Sequence, residues 1–216
     1  MTVPLRKRQK LVLLRRAWRK GPGPFMRQAI LTFGSSVLWR RHLIYEAHAD
    51  KVLKLDIPDI SDILFREVRS WNELSPDIRE CLLRDKASLG WGDEAWFDLG
   101  WQLWVGEVDG RLATLAWWRT AEQSNDFFIP VPEDTELMWQ STTMPEFRGR
   151  DLFTVQQRTL MQRHAQDGVR RFLSCCEDFN MTSRRNLPRQ GFDYIGMTVK
   201  SRLTGKRRWY PARQTR

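Results

Sequence analysis

Two alternating apolar runs around Asp109-Gly110, WQLWVGEVDGRLATLAWWRT (101–120), constrain this chain more than any other stretch. An Asp-Gly pair accepts the positive backbone dihedrals of a tight hairpin turn, and the flanking period of two belongs to strands. The segment therefore predicts two antiparallel strands in register. A sheet must grow around them, because a lone two-stranded hairpin buries too little to persist in water.

The neighbouring segments supply that sheet. TELMWQSTT (135–143) reads as a strand, 144–150 as a loop and LFTVQQRTLMQRHAQ within 151–166 as a helix. VRRFLSCC (169–176) predicts a strand, NMTSRRNLPRQ a short helix ended by Gly191, and DYIGMTVKSRL (193–203) a last strand. Upstream, HLIYEAHAD (42–50) predicts a first strand. SDILFREVRSWNELSPDIRECLL (61–83) shows helical periodicity, with Ser61 as N-cap and Pro76 dividing it in two. The order is β, α-α, a β-β hairpin, β, α, β, α, β, without an internal repeat, and it defines a mixed α/β sheet.

At 216 residues the chain suits one full core, and its 11 Trp and 11 Phe exclude a disordered protein. Three cysteines, Cys81, Cys175 and Cys176, fit neither a disulfide framework nor zinc spacing, and no metal is expected. Charge is unevenly placed: residues 1–50 hold 11 Lys and Arg against two acids, and 200–216 hold seven against none. The intervening positions are mildly acidic. Basic ends call for an anionic partner: a membrane surface, a nucleic acid or an acidic protein.

No uncharged run approaches the roughly 20 residues that cross a bilayer. Arg15 and Arg16 end the apolar stretch LVLL too early for a signal peptide, though an Arg-rich, acid-poor start also fits an organellar transit peptide. The expected location is cytoplasmic, with a peripheral place at a membrane face. Residues 1–41 form a basic amphipathic helical extension in two pieces broken by GPGP (21–24). In the second piece Phe25, Ile30, Phe33, Val37 and Leu38 recur near helical spacing, with Arg27, Arg40 and Arg41 offset. Such a piece lies in a membrane interface or packs on the domain; the sequence leaves both open.

The chemistry concentrates in PEFRGRDLF (145–153). A helix N-terminus carries amides without intrahelical partners and the positive end of its dipole. A Gly-containing turn aims those amides at a phosphate, and Arg148 and Arg150 add charge. Set after the hairpin and a strand, and followed by Asn180, a small residue three on and Gly191-Phe192, this loop resembles that of the GNAT N-acyltransferase superfamily. Its hallmark there is Arg/Gln-x-x-Gly-x-Gly/Ala, with Arg148 at the first position here. The likeness covers 100–200 best and 42–99 more loosely.

That resemblance implies a GNAT-like domain over 42–203, with a mostly antiparallel sheet flanked by helices, and a basic tail over 204–216. It implies an acyltransferase whose donor is acetyl-CoA or another acyl-CoA. The backbone near Thr142, Thr143 and Met144 would pair with the pantetheine arm, and the amides of Gly149, Arg150, Asp151, Leu152 and Phe153 would hold the pyrophosphate. Asn180 belongs to the same set. The acceptor amine attacks the thioester directly, so Glu136, at the head of that strand and on one face with Met138, Gln140 and Thr142, is the expected base. Tyr194, Glu177, Asp178 and His164 are weaker choices, and His164 reads as a surface residue.

Departures from the pattern accompany the match. Asp151 stands where the loop has Gly, and Phe153 where it has Gly or Ala. Asp151 is a good N-cap by residue type, but its charge opposes a pyrophosphate unless Arg148 or Arg150 neutralises it. The family's tyrosine acid falls at Leu187. An acyl carrier protein, which brings pantetheine without the pyrophosphate, is therefore an alternative donor, and its acidic surface suits the basic ends. A further alternative is an inactive GNAT-fold module bound to a membrane or an acidic partner. The acceptor is a small-molecule, sugar or lipid-linked amine. The Trp-dense stretch 91–105 reads as core, with a groove for an apolar or sugar-like acceptor as the alternative. Specific nucleic-acid binding is not expected, because the basic segments carry no recognition motif.

Overall fold

A computed structural model describes residue 14 and residues 17–19, 21–58, 60, 62–89 and 93–212. In chain order the elements are α1 (Pro22–Val37), β1 (Trp39–His48), α2 (Ala49–Val52), β2 (Ile63–Val68), α3 (Pro76–Leu89), β3 (Gln102–Val108), β4 (Arg111–Thr120), β5 (Thr135–Thr143), α4 (Leu152–Gln166), β6 (Arg171–Glu177), α5 (Met181–Arg189), β7 (Asp193–Ser201) and β8 (Arg207–Pro211). They fall into two compact units. The larger comprises Glu46–Ser174 and Asn186–Asp193; the smaller comprises Met1–Tyr45, Cys175–Arg185 and Tyr194–Arg216.

In the larger unit the strand order is β2-β3-β4-β5-β6. The hairpin forms as its residues dictate: β3 pairs antiparallel with β4, and Asp109 and Gly110 take φ of 51° and 70°. On one face of this sheet Leu103, Val105, Leu115 and Trp117 pack with Val68 and with Leu74, Ile78 and Leu82 of the α3 region. The Ser75 hydroxyl caps α3 by accepting from the Ile78 amide at 3.4 Å. The opposite face meets α4, where the Gln156 side chain donates to the Trp104 carbonyl at 3.2 Å. Trp101 and Trp104 are buried and Trp96 packs on the core, as expected of the Trp-dense stretch; Trp91 lies outside the described residues.

Part of the helix predicted over 61–83 is a strand. Residues 63–68 form β2, antiparallel to β3 from Ile63↔Val108 to Val68↔Leu103. Ile63, Phe65 and Val68 suit a pleated surface, and six ladder pairs outweigh a weak helical spacing. The Ser61 cap lies outside the described residues.

In the smaller unit β1, β7 and β8 lie in that order, and β7 pairs antiparallel with β8. The sequence left 204–216 as a tail; Arg207–Pro211 instead make β8. Of the two N-terminal helical pieces, the first falls largely outside the described residues. The second is α1, which begins at Pro22 rather than after GPGP, because proline in a first helical turn forfeits no intrahelical bond. No described helix is long and apolar enough to span a membrane.

Candidate functional site

The loop between β5 and α4 begins with a short helical turn, Pro145–Phe147, whose Phe147 side chain is buried in the core. Gly149 follows at φ 86° and Asp151 at φ 57°, both left-handed. An L-residue in that region is strained, with Asp and Asn the least penalised after Gly. The fourth position of the loop thus has a conformation made for glycine, and aspartate occupies it.

That conformation decides what Asp151 does. The expected capping bond is absent: its carboxylate accepts from the Thr154 hydroxyl at 2.8 Å rather than from a backbone amide. Its carbonyl takes the amides of Thr154 and Val155 at 2.9 and 3.2 Å. Among the described residues, no backbone or side-chain acceptor pairs with the amides of Gly149, Arg150, Asp151, Leu152 or Phe153. Five consecutive donors without a described acceptor thus lead into the start of α4, the end of a helix that carries the positive pole of its dipole.

The nearby cations are turned elsewhere. Arg148 donates from Nε to the Thr143 carbonyl at 3.2 Å, and Arg150 pairs with Asp62 at 3.6 Å. Neither forms an ion pair with Asp151, whose side chain is exposed. Leu152 sends its side chain into the core while its amide stays in the loop.

The strand that leads into this loop is bulged. β4 and β5 pair Trp117 with Gln140 but Trp118 with Met138, so Trp139 is one residue extra. A bulge reverses the alternation beyond it. Glu136 and Met138 therefore share a face with Trp118, whereas Gln140 and Thr142 lie on the face of Trp117 and Leu115, which corrects the single face expected for all four. The parallel ladder of β5 with β6 covers Thr135–Met138 against Arg171–Ser174, while the β4 ladder continues to Thr143. Met144 is tied in by its own backbone: its amide donates to Ala113 and its carbonyl accepts from Phe147, at 2.9 and 3.0 Å.

Glu136 is not alone. Its Oε2 lies 2.5 Å from Nδ1 of His164, and the two side chains are only 16% and 8% exposed. The imidazole packs against Trp118 and Trp104, with ring centroids 5.2 and 5.8 Å away. The surface histidine expected from its polar neighbours is thus a buried one, because the last turns of α4 lie on Trp104, Trp118 and Glu136. On the other face, the buried Arg119 guanidinium lies over Trp101 and Trp139, 4.2 and 4.9 Å from the ring centroids, and is bonded to Asp126 and the Gln123 carbonyl. The bulge residue Trp139 is what completes this sandwich.

Leu187, at the position of the missing tyrosine, is buried. Asn180 lies in the smaller unit, where its side chain caps α5 by accepting from the Ser183 amide at 3.2 Å. The same unit holds the Tyr45 hydroxyl against the Cys176 sulfur, with Tyr194 edge-on to Tyr45 at 5.7 Å. Burial, then Cys176, pushes Tyr45 up to about 12. Burial pushes Cys176 up to about 12 against the opposing charge of Arg184. Burial also raises Tyr194. A thiol kept protonated in this way is structural rather than nucleophilic.

No family model and no curated protein matches the sequence. Solved structures do match the fold. A GNAT-family acetyltransferase from Colwellia psychrerythraea superposes with a TM-score of 0.53 at 14% identity, over 76% of this chain and 56% of its own. A Drosophila protein gives 0.53 at 14% identity, over 81% of this chain and 56% of its own. The chain therefore spans little more than half the length of these neighbours. The fold is that of the GNAT acetyltransferases: a mostly antiparallel sheet flanked by helices, with a parallel pair at β5 and β6.

Proposed function

We propose that the protein is an acyltransferase that moves an acyl group from a CoA thioester to an amine. The observation that carries this reading is the run of five unpaired amides at 149–153, set at the N-terminus of α4 in a GNAT fold. In this reading those amides hold the pyrophosphate, and the backbone at Thr142 and Thr143 pairs with pantetheine beyond the end of the β5–β6 ladder. The amine nitrogen attacks the thioester carbonyl carbon, and the C–S bond breaks as the adduct collapses. The thiolate leaves and takes a proton from water, since Leu187 offers none.

Glu136 receives the proton lost by the nitrogen, with His164 holding its carboxylate in place. The end of the ladder at Trp139 is three residues from Glu136, about 10 Å at strand rise, so the proton crosses by way of water.

Asp151 favours a second donor. Its exposed carboxylate repels a pyrophosphate but not the bare pantetheine arm of an acyl carrier protein. Titration calorimetry with acetyl-CoA, longer acyl-CoAs and an acylated carrier separates the two. Heat at micromolar acyl-CoA supports the first, and binding of the carrier alone supports the second. Failure of all three thioesters to bind overturns the enzymatic reading.

A further inference from the structure

Over its described side chains, the helix α1 is amphipathic in the wrong sense for a helix that ends in water. Among its described side chains the buried one is Gln28, 7% exposed, whose amide donates to the Thr32 hydroxyl at 3.3 Å. Its outer stripe is Met26, Ile30 and Phe33, spaced four and three apart and 57%, 63% and 66% exposed. Helices of water-soluble proteins put such side chains inward, and a contiguous apolar stripe turned outward marks a contact surface. Trp18, just before α1, and Leu38, just after it, are exposed as well.

Charge says what covers it. By sequence, the smaller unit carries 20 Lys and Arg against only Glu177 and Asp178, a net of +18, whereas the larger carries 16 against 24, a net of −8. Arg19 and Arg27 are exposed around the stripe. Arg40 and Arg202 stand close enough that Arg202 adds to burial in lowering the Arg40 value, two cations near each other on one unit. The edge strand β8 adds exposed Arg207 and Arg208 beside the half-exposed rings of Trp209 and Tyr210. A second copy paired through its own α1 is a poor occupant, because that brings two units of +18 together. An opposite-charge contact with a −8 unit gives the apolar stripe no acyl-like surface. A nucleic acid satisfies the arginines but gains nothing from Met26, Ile30 and Phe33. An anionic bilayer satisfies both: acyl chains take the stripe, headgroup phosphates take the arginines, and Trp and Tyr favour the interface.

We infer that the smaller unit docks on anionic membrane surfaces, with Met26, Ile30 and Phe33 of α1 entering the headgroup–acyl boundary. This goes beyond the acyltransferase reading and does not depend on it. The test is co-sedimentation of the full chain with vesicles of phosphatidylcholine alone or mixed equally with phosphatidylglycerol. Apparent affinity is expected to be at least about tenfold higher on the anionic vesicles, and to fall at least about tenfold between roughly 0.1 and 0.5 M salt.

The double variant Ile30→Ser, Phe33→Ser is expected to lose at least about tenfold in binding with an unchanged melting temperature. No pelleting, equal pelleting on both vesicles or an unaffected double variant overturns the proposal. So does a dimer in light scattering that the double variant converts to monomer, since a second copy then covers the stripe. Tighter binding to a DNA duplex than to anionic vesicles, retained by the double variant, overturns it in favour of a nucleic acid. Should that variant fail to fold, the lipid and salt dependence of the wild type decides by itself.

Discussion

At the scale of single residues, Asp151 is the most informative position. Its φ of 57° is a glycine conformation, and it sits within a run of five amides that no described residue has taken. Asp151→Gly removes both the strain and the charge. Partial exposure limits the electrostatic part to about 1 kcal/mol, so acyl-CoA should bind about fivefold tighter by calorimetry. Unchanged or weaker binding would remove the electrostatic account of this loop.

Glu136 and His164 form the second informative pair. Replacing His164 with alanine leaves a partly buried carboxylate without its partner and a cavity against Trp104 and Trp118. That should cost about 2–4 kcal/mol in urea denaturation. Glu136→Gln keeps the shape, so it should leave the melting temperature nearly unchanged while lowering turnover at least about a hundredfold.

The place of Glu136 at the head of a strand was legible in the sequence because that strand has a recognisable pattern. The burial of His164 was not, because its neighbours Gln162 and Arg163 are polar and its partner is 28 residues away in the chain. Only the packing of α4 on β5 brings the two together.

At the scale of elements, local chemistry and tertiary pairing divide the fold between them. The β3–β4 hairpin was readable because Asp109-Gly110 fixes the turn and the alternation fixes the faces. The identity of β2 was not, because ILFREV satisfies either period and only its ladder with β3 settles the matter. The bulge at Trp139 leaves no trace in composition either. It follows from how β4 and β5 must align, and it alone moves Gln140 and Thr142 to the face opposite Glu136.

Gly106, at the register shift between β3 and β4, is a further hidden requirement. A Cβ there would overlap the Thr114 hydroxyl oxygen and come within 2.9 Å of Ile63 Cδ1. Gly106→Ala should therefore destabilise the larger unit by about 1–3 kcal/mol, read from the urea midpoint.

At the scale of the whole molecule, two raised acids of the smaller unit tie stability to pH. Cys176 and Tyr45 hold their protons to about 12, from ordinary values of 9.0 and 10.0. The folded chain thus stays protonated at these groups where the unfolded chain has ionised. Their contribution is complete below about pH 9 and is lost as pH rises towards 12. The urea midpoint should fall from pH 9 upward, and Cys176→Ala with Tyr45→Phe should flatten that fall. The order of elements from β3 to β7 was within reach of the sequence because strand, loop and helix follow one another in a recognisable series. The inward Gln28 and outward Phe33 of α1 were not, since helical spacing defines a stripe without saying which way it faces.

The division of charge also governs how molecules of this protein meet one another. A unit of +18 and a unit of −8 on different copies attract, and below about 0.01 M salt that attraction reaches roughly 30 Å. The protein should therefore salt in. Concentrated samples dialysed to very low ionic strength should turn turbid and clear again on adding about 0.15 M salt, where the reach shrinks to roughly 8 Å. Turbidity that is indifferent to salt would show that the opposite charges are neutralised within each molecule instead.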